Sequence, residues 1–113
     1  MDDLWRTEEL ALTTRGRRTG RDHAATVWFA HDDGSLWLRA DEHEPDWLLN
    51  LKTHPDCTVR IGDRELAARY EPVADRDAAL RRLVALWREK YGAEWVQDWY
   101  VETGREPVRL RLL

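Results

Sequence analysis

Residues 12–29 read LTTRGRRTGRDHAATVWF, the end of one strand, an arginine-loaded turn and the start of the next strand. Four arginines, Arg15, Arg17, Arg18 and Arg21, fall within seven residues and alternate with Gly16, Thr19 and Gly20. Guanidinium forks pair with phosphate or carboxylate oxygens, often through two bonds at once. Glycines let backbone N–H groups approach an anion closely. The turn therefore reads as an anion cradle for a phosphorylated cofactor, although charge alone fits a solvated hairpin tip equally well.

Working outward, Glu8 to Thr14 forms a first strand with Leu10 and Leu12 on one face. His23 to His31 alternates as a second, and Asp32-Asp33-Gly34 is a hairpin signal leading into Ser35 to Ala40. The acidic stretch Asp41-Glu42-His43-Glu44 precedes Pro45, which suits the first turn of a short helix to about Thr53. Asp56 to Gly62 places Cys57, Val59 and Ile61 inward, and Gly62-Asp63 turns into a strand over 64–73. Asp75 can cap a long helix, Arg76 to Tyr91, whose Leu80, Leu83, Val84, Trp87 and Tyr91 recur at helical spacing. Gly92 ends it, Ala93 to Tyr100 reads as a second short helix, and Pro107 to Leu113 closes the chain as a strand. The expected fold is α+β: a six-stranded antiparallel split β-barrel, with a short mid-chain helix and a longer C-terminal helix.

The span of 113 residues suits one cofactor-binding domain, 1–113. A net charge of −4 argues against a nucleic-acid partner, because such proteins carry a basic stripe. Cys57 is the single cysteine, so neither an internal disulfide nor a cysteine metal site can form, in keeping with a reducing cytoplasm. With no apparent signal peptide and no apolar run near the roughly 20 residues a bilayer needs, a soluble cytoplasmic protein without membrane association is expected. Seven tryptophans are more than the core of so short a chain requires. Half-buried indoles suit a planar ligand or a second subunit, so a homodimer is expected.

With that order of elements, 12–21, LTTRGRRTGR, resembles the opening of the deazaflavin (coenzyme F420)-dependent nitroreductase family of split-barrel flavoproteins. Residues 46–55, DWLLNLKTHP, are similar to that family's W-x-x-N-L-x-x-x-P helix, and 57–62 to the strand after it. The resemblance implies that Arg17, Arg18, Thr19 and Arg21 contact the phosphate-bearing tail of coenzyme F420. It implies that Trp28 lies beside the tricyclic ring, and that Ala40 and Asp41 begin a loop closing over the cofactor. Trp47 and Asn50 are implied to be structural, the indole packing into the barrel and the amide tying helix to neighbouring backbone. Where relatives usually carry a glycine-rich loop with a lysine, this chain has Asp41-Glu42-His43-Glu44. Each carboxylate near an anionic tail would oppose it by roughly a kcal/mol if half-exposed.

The implied activity is oxidoreduction, a hydride moving from reduced F420 to a small conjugated acceptor such as a quinone, enone or nitro compound. Such chemistry resides in the cofactor and needs no protein nucleophile, and the sequence offers no catalytic triad. FMN or haem in the same cleft, or a non-catalytic small-ligand carrier on the same fold, are the alternatives. The four histidines match no compact metal spacing, so no metal is expected. His23, close to the arginines, could be a polar lining residue, and Cys57 a small core residue.

Overall fold

The computed structural model describes residues 4–40, 45–92 and 106–113. After a short 3-10 turn, Leu4–Arg6, come β1 (Glu9–Arg15), β2 (Asp22–Trp28), β3 (Ala30–Asp32) and β4 (Ser35–Ala40). They are followed by α1 (Asp46–Thr53), β5 (Asp56–Ile61), β6 (Arg64–Glu71), α2 (Arg76–Tyr91) and β7 (Glu106–Leu112). The seven strands form one antiparallel sheet in the order β2-β1-β5-β6-β7-β4-β3, curled into an open half-barrel. The second helix expected at 93–100 lies outside the described residues, as does the acidic stretch 41–44.

Among the described residues there is one strand more than the sequence suggests, because the run from His23 to His31 breaks at Phe29. The two halves lie at opposite ends of the sheet order although joined by a single residue, so the break lies at the seam of the half-barrel. Phe29 leaves the ladder, and α2 satisfies its backbone instead. The Tyr91 hydroxyl accepts from the Phe29 N–H at 3.2 Å and lies 2.9 Å from the Phe29 carbonyl, to which Lys90 Nζ donates at 2.7 Å. Backbone polar groups so close to the core need such partners. The same hydroxyl donates to the Glu8 carbonyl at 2.6 Å, tying the start of β1 to the break.

Alternation along the strands fills the barrel interior with Leu10, Leu12, Phe29, Leu36, Leu38, Val59, Ile61, Val108 and Leu110, with Leu48 and Leu51 of α1 as a lid. On the outer face, Ala30 and Trp37 pack beneath Leu80, Leu83, Val84 and Trp87 of α2. That helix begins where Asp75 accepts from the Ala78 N–H at 3.1 Å and ends at Gly92. Pro45 is the N-cap of α1 rather than its first helical residue, without a side-chain cap bond.

Candidate functional site

The turn between β1 and β2 is closed by its own backbone. The Gly16 N–H donates to the Arg21 carbonyl at 2.8 Å, and the Gly20 N–H donates to the Gly16 carbonyl at 2.9 Å. Gly20 has φ +72°, a conformation open to glycine at no steric cost. The turn is also held from α1. Asn50, 2% exposed, accepts through Oδ1 from the Arg17 N–H at 3.1 Å and the Arg17 guanidinium at 2.9 Å. Its Nδ2 donates to the buried Thr14 hydroxyl at 3.2 Å. A second Arg17 nitrogen reaches Asp46 Oδ1 at 3.3 Å. Asn50 thus ties helix to turn.

A cavity of about 220 Å³ opens between this turn and α1, lined by Arg17, Arg18, Thr19, His23, Asp46 and Asn50. Arg17 faces it with its guanidinium engaged, whereas the exposed Arg18 and Arg21 make no ion pair with any described residue. Arg21 is not part of the lining; its N–H donates to Thr19 Oγ1 at 3.3 Å, stiffening the turn. His23 lies against Gly16 so closely that a Cβ there would meet its ring at 2.9 Å.

At the other end of β2 is a cavity of about 430 Å³, bordered by Val27, Trp28, Arg39, Pro45, Trp47 and Trp87. His23 and Trp28 stand about 17 Å apart at the strand rise of roughly 3.4 Å per residue. The two cavities therefore lie along one strand and flank the start of α1. Trp28 is stacked on Tyr91, ring centroids 4.3 Å apart and 19° from parallel. The Trp87 indole N–H is buried and has no hydrogen-bond partner among the described residues. β2 is also an edge of the sheet, and such a strand presents backbone N–H and C=O groups along its open side.

Of the residues the sequence brings forward, Arg17, Arg18 and Thr19 converge on the smaller cavity and Trp28 lines the larger. Ala40 ends β4 with its side chain in the barrel core, 1% exposed, which leaves only its backbone to face a ligand. Trp47 packs partly against the barrel core and also lines the larger cavity. Trp87 reads in the sequence as core stripe alone; its polar N–H was the signal for a second role. Among the described residues no three His, Cys, Asp or Glu side chains group to hold a metal ion, and no helix is long and apolar enough to cross a membrane.

Charge in one cavity, a flat aromatic wall in the other and an indole N–H with no partner among the described residues suit a long ligand with an anionic tail and a planar head. The deazaflavin cofactor has that shape and fits the residues present. The fold recurs in solved structures. A heme storage protein of Vibrio cholerae is 14% identical over 99% of this chain and 87% of its own, with a TM-score of 0.77. An F420-H2 dependent reductase is 16% identical over 92% and 94%, with a TM-score of 0.72. A domain-swapped dimer is 17% identical over 92% and 80%, also with a TM-score of 0.72. The family model described as F420H(2)-dependent quinone reductase matches residues 2–111, so the chain belongs to that family of F420-dependent, split-barrel oxidoreductases.

Proposed function

We propose that the protein grips the phosphate-bearing tail of coenzyme F420 at its arginine turn and seats the ring against Trp28. In this arrangement the acceptor, a small quinone, enone or nitro compound, enters beside the ring. The alignment of both cavities along β2 carries this reading. Arg18 and Arg21 supply the unneutralised charge, and Thr19 shapes the turn. Arg17, already paired with Asn50 and Asp46, contributes mainly by holding the turn in place. Ala40 contributes through its backbone at the end of β4.

When bound, the reduced deazaflavin supplies the hydride. The chain's part is to fix the ring, shield one face with the Trp28–Tyr91 stack and leave the other open to the acceptor. The Trp87 N–H and the open edge of β2 offer hydrogen bonds to polar atoms on the ring's rim. We read residues 1–113 as one cofactor-binding domain acting in the cytoplasm as a homodimer. The half-buried Trp5, Trp28 and Trp47 and the domain-swapped relative support the dimer, and light scattering of the purified protein tests it.

The deciding experiment titrates F420 and, separately, FMN, followed by cofactor and tryptophan fluorescence. Micromolar or tighter F420 binding is expected, weakened by salt. Arg18→Ala should weaken it about 10- to 100-fold, the scale of a charge-assisted hydrogen bond, with little loss of stability. Saturable binding of FMN alone would move the protein to the flavin branch, and binding of neither would overturn the redox reading.

A further inference from the structure

A second cavity of about 430 Å³ lies beyond the Phe29 break, where Ala30 and His31 line it together with Trp5, Leu86, Lys90 and two further charged groups, Arg6 and Glu89. Trp5 and His31 form a flat wall, their rings 3.9 Å apart and 4° from parallel. The chain has two lysines, Lys52 and Lys90. Lys52 lies 3.8 Å from the Glu106 carboxylate, an ion pair between the end of α1 and the start of β7. Lys90 has no carboxylate within ion-pair distance among the described residues. Its Nζ sits 3.4 Å from the centroid of the Phe29 ring and donates to the Phe29 carbonyl at 2.7 Å. That bond uses one N–H and fixes the nitrogen at the cavity wall.

Burial pushes the Lys90 amine down to about 8, against an opposing pull from the Glu8 charge. Roughly a tenth of it is therefore unprotonated at pH 7, where an ordinary lysine has almost none. Desolvation of this kind is one way a lysine becomes a nucleophile. The usual competitor is closed: Cys57 is buried, its thiol pushed up to about 12 by burial and by Asp56, and its Sγ lies 3.6 Å from the Ala68 carbonyl.

We infer that Lys90 captures α,β-unsaturated carbonyl compounds, quinones and enones, covalently in this second cavity. The amine nitrogen bonds to the β-carbon, and the C=C π electrons move toward the carbonyl to give an enolate. The nitrogen then loses a proton and the enolate gains one, with His31 or water as carrier. Burial lowers the pKa of His31, so at pH 7 its imidazole is neutral and can accept a proton. No atom is lost and no oxidant is needed: an enone becomes a β-amino ketone, and a quinone an aminohydroquinone. The inference stands apart from the F420 groove, since it involves neither the arginine turn nor the cofactor.

The test is equimolar N-ethylmaleimide with the wild-type protein at pH 7.4, read by intact mass and peptide mapping. A single adduct on Lys90 is expected, forming roughly 10-fold or more faster than on Lys52, because the larger neutral fraction outweighs the lower basicity. Its rate should climb with pH and level off above about 8. Lys90→Arg, which can keep a donor to the Phe29 carbonyl, should abolish that adduct. A first adduct on Cys57, on a histidine or on the terminal amine would overturn the inference. So would equal rates at the two lysines. Both outcomes are read on the wild-type protein, so the result holds whatever the variant's stability.

Discussion

Asn50→Ala is the substitution that most directly tests how the arginine turn is built. The amide is 2% exposed and makes three bonds, accepting twice from Arg17 and donating once to Thr14, itself 1% exposed. Alanine leaves the Arg17 N–H and the Thr14 hydroxyl without their partner, and each orphaned group costs about 1–3 kcal/mol. The guanidinium retains Asp46 and is exposed enough to recover water, so its loss is smaller. The two orphaned groups together cost about 2–6 kcal/mol, and at roughly 4 °C per kcal/mol for a domain of this length the midpoint falls by roughly 8–24 °C. The turn loosens with it, and F420 affinity should drop roughly 10-fold, the scale of one charge-assisted contact. Asn50→Asp is the informative control. A carboxylate accepts both Arg17 bonds, and the Thr14 hydroxyl can rotate to donate, so the loss should stay under about 1 kcal/mol. Thermal unfolding and F420 titration of both variants give the answer. Equal destabilisation by Ala and Asp would assign the effect to helix packing and refute the tether. A loss under 1 kcal/mol for Asn50→Ala would refute it as well.

Tyr91→Phe keeps the ring on Trp28 but removes the hydroxyl that serves Phe29 and Glu8; urea unfolding should show a loss of about 2 kcal/mol. Gly16→Ala places a Cβ 2.9 Å from the Arg21 carbonyl and the His23 ring. The carbonyl cannot rotate away as a side chain would, so about 1–3 kcal/mol of stability and most F420 affinity should be lost, read by unfolding and titration. Lys90 predicts a pH effect whose sign follows from its lowered value. Below about 8 the ammonium is charged in both folded and unfolded chains and its burial cost is fully present. Between about 8 and 10.5 the unfolded chain holds the extra proton, so stability rises with pH across that window. The difference in urea midpoint between wild type and Lys90→Arg should grow from pH 7.5 to 9.5, and a flat difference would contradict the burial argument.

The elements legible in the sequence are those whose signals are local. Ser35 to Ala40 lies between a turn glycine and an acidic run, and Arg76 to Tyr91 between a capping aspartate and a glycine, and both are found with those limits. The split of the second strand was not legible, because alternation continues through Val27 and Phe29 and nothing nearby breaks it. What releases Phe29 from the ladder is a hydroxyl and an ammonium about sixty residues later. The arginine turn shows the same division. Its charge was plain, but which guanidinium turns inward depends on Asn50 and Asp46, some thirty residues away. The second cavity left still less trace, since Trp5, His31 and Lys90 meet only when the half-barrel closes around the break.

The break at Phe29 connects the fold to its chemistry. Without it the second strand could not leave β1 at one end of the sheet and resume beside β4 at the other. The half-barrel is therefore left with two edges, and an unprotected edge strand invites pairing with another chain. Here α2 packs against β3 and β4, while the edge of β2 runs beside the groove that Trp28 and Trp87 border. A bound heterocycle would cover that edge and exchange hydrogen bonds with it, much as a neighbouring strand does. Opening the barrel thus leaves the structural demand of one strand edge to be met by a ligand, and cofactor binding should protect the amides of β2 from exchange more than those of β5 or β6. Uniform protection across all three strands would show that the ligand stabilises the fold without lying along that edge.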